Sequence, residues 1–83
     1  MKYEVKYERS CIKYLVKQDR DTQLRIIRAI NQLPSGDVKR LHDNSKDYRL
    51  RVGDYRIIFS KDDKHLIIQI IAIASRGEAY KDL

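Results

Sequence analysis

Tryptophan is absent from this chain, and cysteine, proline, phenylalanine and methionine occur once each. A single cysteine, Cys11, excludes a disulfide framework and a cysteine-based zinc site. Three glycines are too few for a glycine-rich phosphate loop. The longest apolar run, Leu66 to Ala74, is broken by Gln69 and falls far short of the roughly 20 residues that cross a bilayer. The opening Met-Lys-Tyr-Glu-Val-Lys alternates charge and lacks the apolar centre of a signal peptide. These absences exclude collagenous, membrane-spanning and disulfide-stapled secreted classes, and the expectation is a cytoplasmic protein with no membrane partner. No repeat, low-complexity tract or linker divides the chain.

What the chain does have is charge. Its 83 residues make a single domain, 1–83, with 36% charged and 42% apolar residues. A domain of this size buries only about 60–65% of the surface its unfolded chain exposes, so its core is modest. Eighteen Lys and Arg against twelve Asp and Glu give a net charge of +6. Residues 1–38 hold eight basic and five acidic residues and 39–83 hold ten and seven, so each half carries +3 and there is no basic tail. Such a balance favours a polyanionic partner, nucleic acid or an acidic protein, bound by residues placed within the fold.

Residues 2–7 alternate, with Tyr3, Val5 and Tyr7 on one side, and predict a short strand. From about Arg9 to Lys17 the apolar residues Cys11, Ile12, Leu15 and Val16 recur at helical spacing. Asp19 or Asp21 is placed to cap a second helix. That helix carries Leu24, Ile27, Ile30 and Leu33 at three-residue steps, with Ile26 widening the stripe, and Pro34-Ser35-Gly36 ends it. Residues 37–47 read as polar and irregular. Gly53-Asp54 between two alternating runs predicts a two-residue hairpin, which pairs Val52 with Tyr55, Arg51 with Arg56, Leu50 with Ile57, Arg49 with Ile58 and Tyr48 with Phe59. A second hairpin is expected to turn at residues 61–64, pairing Phe59 with Leu66, Ile57 with Ile68, Tyr55 with Ile70 and Arg56 with Gln69. Apolar residues on both parities of the last strand indicate a central or doubly covered position. The expected fold is a small α+β domain: an N-terminal strand, a helical hairpin, then an antiparallel three-strand meander, with the helices packed on one face of one sheet.

In this register one face of the hairpin is apolar and the other carries Arg49, Arg51 and Arg56. Like charges opposite each other on a sheet are mildly destabilising, so the cluster is better understood if an anion normally occupies it; guanidinium groups bind phosphate oxygens through paired donors and remain charged at any working pH. The alternative is a solvated outer face of a half-buried sheet. Alternation from Ile70 would carry Arg76 onto the apolar face, so the last strand is expected to end or bulge by about Ser75, with Gly77 redirecting the chain. Arg76 and Tyr80, four apart, share a side if the tail turns helically. Cleavage of RNA by its own 2′-hydroxyl needs a base, stabilisation of the pentacovalent phosphate and help for the leaving oxygen. Arginine holds its proton too tightly to be the base, whereas neighbouring guanidiniums favour the phenolate of tyrosine. Tyr80 is thus the candidate base, although a tail aromatic covering the core edge is an equal reading. His42 and His65 read as surface residues, His42 lying near enough to the arginine strand to reach it. No His, Cys and Asp cluster has metal-ligand spacing, Ser10 and Cys11 lack a companion base, and no metal or cofactor is expected.

The segment Tyr48-Arg49-Leu50-Arg51-Val52-Gly53-Asp54-Tyr55-Arg56, followed after the Ile-rich strand by Arg76-Gly77-Glu78-Ala79-Tyr80, resembles the RelE/ParE toxin superfamily of type II toxin–antitoxin systems over almost the whole chain. The RelE branch, metal-independent endonucleases that cut messenger RNA in the ribosomal A site, is the nearer likeness. That resemblance implies catalytic roles for Arg49, Arg51, Arg56, Arg76 and Tyr80: Arg49 and Arg51 as the basic pair before the turn, Arg56 on the phosphate, Arg76 at the leaving group and Tyr80 as base. Arginine stands at the first two positions where some relatives have lysine. His42, with Arg40 and Lys46 beside it in the polar connector, is assigned to RNA contact. The resemblance also implies an antitoxin partner, a hetero-oligomeric complex with it, and the ribosome with its message as target. The alternatives are a ParE-like toxin that inhibits DNA gyrase without cutting RNA, and a non-catalytic basic binding module.

Overall fold

A computed structural model describes residues 2–42 and 46–75. Five strands and two helices follow the order β1 (Glu4–Tyr7), α1 (Arg9–Val16), α2 (Arg20–Asn31), β2 (Val38–Arg40), β3 (Asp47–Val52), β4 (Tyr55–Asp62) and β5 (Ile67–Ser75). They form one sheet in the order β1-β5-β4-β3-β2. β1 runs parallel to β5, and the other neighbours are antiparallel. The expected α+β architecture is therefore present, and its meander has one more strand than expected. β2 lies in the stretch read as irregular; its three residues are too few and too polar to show a period.

Both helices cover one face. Cys11 and Leu15 from α1, Ile26 and Ile30 from α2, and Leu33 just beyond it are buried against Leu50, Val52, Ile57, Phe59, Ile68, Ile70 and Ile73. Full burial of an Ile or Phe side chain contributes about 1.5–3 kcal/mol, and no polar or charged side chain among the described residues is buried with them. The α2 stripe differs from the expectation. Leu24 is left 38% exposed, because three-residue steps drift by about 60° each on a 3.6-residue helix. The sequence 26, 30, 33 stays on one face where 24, 27, 30, 33 cannot. Ile12 and Val16 likewise turn outward, 51% and 67% exposed. With Tyr7, Leu15, Gln23 and Ile27 they line an apolar groove of about 300 Å³ between the helices.

Side chains tie the helical hairpin together. Asp19 is the N-cap residue of α2, with extended backbone but no side-chain hydrogen bond to the first-turn amides, and the Thr22 side chain holds its carboxyl below the usual value. Gln23 reaches back to α1, where its amide donates to the carbonyls of Leu15 at 2.7 Å and Gln18 at 3.1 Å. These carbonyls lie at the end of α1, where intrahelical donors run out.

The β3–β4 hairpin has all five expected pairs. Gly53 adopts φ +59°, and a positive φ at the first central residue alone is the type II′ arrangement. The β4–β5 hairpin differs. The ladder runs on to Asp62 opposite Ile67, and the turn occupies residues 63–66. Phe59 pairs with Ile70, Ile57 with Ile73, Tyr55 with Ser75 and Arg56 with Ala74, with a register shift at Ile58/Phe59. Two causes act. Asp62 is a turn-building residue seated at the end of the strand: its Oδ1 accepts from the amides of Lys64 and His65 at 3.0 and 3.1 Å, and its Oδ2 lies 2.8 Å from His65 Nδ1. Leu66 then takes φ +55°, which no β-branched or bulky residue adopts without cost. The second cause is a bulge that leaves Ile71 without a partner between Ile70 and Ala72. Ile68 and Ile70 are buried before it and Ile73 after it. The two-parity apolar pattern of β5 thus comes from its central place together with an extra residue.

Candidate functional site

Residues directly opposite on paired strands share a face, so the register lays out the side away from the helices row by row. Nearest the Gly53 turn lie Arg51, Arg56 and Ala74. The next row is Lys39, Arg49, Ile58 and Ala72, and the third is Asp47, Ser60, Gln69 and Lys6. Arg49, Arg51 and Arg56 are thereby brought together, as the hairpin pattern required. Lys39 joins them from β2. No local pattern singles this residue out, since only the β2–β3 register distinguishes it from Arg40.

The three arginines differ in setting. Arg51 is exposed and Arg56 half-buried. Arg49 is 13% exposed, and its Nη2 lies 3.7 Å from Asp37 Oδ1. Its Nη1 is withdrawn from solvent with no hydrogen-bond partner. Asp37 is also anchored through its main chain, its carbonyl accepting from the amide of Arg51 at 3.0 Å. Four cations on so small an area hold a positive potential over this face, suited to oxygens of a phosphodiester or a carboxylate-rich chain.

Arg40 lies on the other side of the sheet. Its Nη2 donates to the Tyr48 hydroxyl at 3.2 Å, and its guanidinium sits 5.5 Å from the Tyr48 ring centre. Lys61 Nζ approaches the same ring to 5.2 Å, while the ring stacks on Phe59 at 5.5 Å. His42 and Lys46 are exposed at the two ends of the connector, Lys46 offering its carbonyl to the Lys61 amide at 3.1 Å. Arg40 is therefore not gathered with the three arginines. Arg76 and Tyr80 lie outside the described residues.

Other chemistry finds little footing. Cys11 is 1% exposed, its thiol donates to the Ile70 carbonyl at 3.5 Å, and burial raises its pKa, so the nucleophilic thiolate is disfavoured. Among the described residues no three His, Cys, Asp or Glu side chains are grouped to hold a metal ion, and no helix is long and apolar enough to cross a membrane.

Comparison with known proteins places these features. Residues 5–80 match the family model described as ParE toxin of type II toxin–antitoxin system, parDE. The archaeal RelE–RelB complex from Pyrococcus horikoshii OT3 contains a chain 29% identical, with a TM-score of 0.79 over 93% of this chain and 98% of that one. The toxin–antitoxin complex RelBE2 from Mycobacterium tuberculosis gives 20% identity and a TM-score of 0.76, covering 92% and 100%. A mutant of the E. coli toxin RelE in the free state gives 17% and 0.71, covering 98% and 90%. The curated proteins compared gave no match.

Proposed function

The chain belongs to the RelE/ParE superfamily and is a toxin of a type II toxin–antitoxin system, and from that premise we propose that it is an endoribonuclease that cuts messenger RNA in the ribosomal A site. The observation that carries this reading is the convergence of Arg49, Arg51 and Arg56, with Lys39, on the sheet face away from both helices. The 2′-oxygen of the substrate attacks the adjacent phosphorus. The O2′–P bond forms, the P–O5′ bond breaks, and the products are a 2′,3′-cyclic phosphate and a 5′-hydroxyl. Such a reaction draws its nucleophile from the RNA itself and needs no metal. Arg51 and Arg56 stabilise the added negative charge on the phosphoryl oxygens, where preorganised donors matter most. Tyr80 takes the 2′ proton, and Arg76 offsets charge on the leaving oxygen, which draws a proton from solvent to become the 5′-hydroxyl. A cognate antitoxin, such as accompanies the relatives solved as RelE–RelB complexes, covers the basic face in the resting cell, in a hetero-oligomer. The exposed apolar groove of α1 and α2 is further surface for a protein partner.

The description of the matching family as ParE toxin favours a second reading, inhibition of DNA gyrase without RNA cleavage. Induced expression followed by mapping of messenger-RNA 5′ ends separates the two. Fresh ends at codon-related positions, lost with Arg56→Ala and Tyr80→Phe, support the nuclease. Growth arrest with intact messages, and supercoiling inhibited in vitro, overturns it in favour of gyrase.

A further inference from the structure

Gly36 has φ +114°, and a Cβ there would come within 3.2 Å of Leu50 Cδ1. Conformation and space both reserve the position for glycine. The turn that results delivers Asp37 to the start of β2. Its carbonyl binds the Arg51 amide, which continues the β2–β3 register and sets Asp37 opposite Arg51 on the cationic face. The carboxylate turns away from that neighbour and toward Arg49. The pairing is loose: Oδ1 and Nη2 stand 3.7 Å apart, beyond hydrogen-bond length, and the Asp37 side chain is 60% exposed. The Arg49 guanidinium is almost withdrawn from water, is flanked by Lys39 across the strand, and holds one nitrogen with no acceptor.

A buried donor without an acceptor is costly, and a cation crowded by Lys39 and Arg51 gains from a nearby negative charge. A carboxylate placed to form a tight, paired-donor ion pair would meet both needs. This one meets the second and leaves the first unmet. We infer that Asp37 is a resident counter-ion on the arginine face: it compensates Arg49 while the face is empty, and an incoming phosphodiester displaces it. The inference rests on the reading of this face as a phosphate site. Asp37 does not touch the RNA and acts on its binding through Arg49, as a competing charge.

The test uses the full chain and a short single-stranded RNA methylated at every 2′-oxygen, so that binding is read without cleavage. Asp37→Asn keeps the size of the side chain and removes its charge. Its expected effect is RNA binding tighter by about three- to tenfold, since one competing charge is gone, with Asp37→Glu restoring wild-type affinity. The nitrogen-bound proton resonance of the Arg49 side chain shifts in free Asp37→Asn toward the position it takes in RNA-bound wild type. Weaker binding by Asp37→Asn overturns the inference, because it makes Asp37 a support that holds Arg49 in its binding geometry. Unchanged affinity in Asp37→Asn while Arg51→Gln loses binding also overturns it and leaves the phosphate face standing. Unchanged affinity in Asp37→Asn, Arg51→Gln and Arg56→Ala together overturns both.

Discussion

Arg51 and Arg56 stand directly opposite each other across the β3–β4 hairpin, two like charges in a position where sheets normally place opposite ones. A pair of this kind costs roughly 0.2–1 kcal/mol. Arg51→Gln is therefore expected to raise stability by about that amount while weakening RNA binding severalfold. Urea unfolding and an RNA titration on the same protein check the two effects, and a loss of both stability and binding would contradict the interpretation.

Gly53 is the second position where backbone geometry dictates the residue. A Cβ there would lie 3.6 Å from Arg25 Nη1, an ordinary contact, so the strain comes from φ +59° alone. Gly53→Ala is expected to cost about 1–2 kcal/mol. The midpoint of urea unfolding should fall with its slope unchanged.

Acid and alkali act on different ends of the molecule. His65 holds the Asp62 carboxyl below its usual value. Its folded pKa is lower than its unfolded one, so its contribution is present above about pH 4 and is lost as pH falls through the depressed value. Tyr3 behaves oppositely. Its hydroxyl donates to Asp63 at 2.5 Å, which raises its pKa. Its contribution is present below about pH 10 and disappears as pH rises through the raised value. Asp62→Asn should flatten the acid limb of the stability profile and Tyr3→Phe the alkaline limb, each leaving the other limb in place. Thermal unfolding from pH 2 to 11 measures both.

Cys11 offers a probe of opening. Buried and held as the neutral thiol, it should react with a thiol reagent only at the rate at which the protein unfolds, and at once in denaturant. Labelling of the native protein as fast as a free cysteine would mean that the α1–β5 contact opens locally.

How much of this was legible in the residues depended on the range of the information. The β3–β4 register was readable because Gly53-Asp54 fixes it within two residues, and that register alone groups Arg49, Arg51 and Arg56. The β4–β5 register was not, because Asp62 has the chemistry of a turn but sits in a strand, and a bulge announces itself only through the partner strand. β1 pairs parallel with β5 across some sixty residues, a relation that no local pattern encodes. The same holds for the site. Lys39 and Arg40 are adjacent basic residues, yet the short β2 sends one to the arginines and the other to Tyr48. Asp37 read as part of a polar connector, and only its place beside Arg49 gives it a role.

The unpaired Ile71 in β5 works as a shift of reading frame within a strand. Before it, even-numbered residues enter the core; after it, odd-numbered ones do. Removing that one residue would straighten the ladder and leave every later side chain on its present face, Ala72 outward and Ile73 inward. A one-residue deletion there is thus better tolerated than one in β3, which has no extra residue and whose later side chains would all change face. Sequences of this kind should be aligned with their single-residue gap inside the strand, where the two faces change places, before residues of the cationic face are compared.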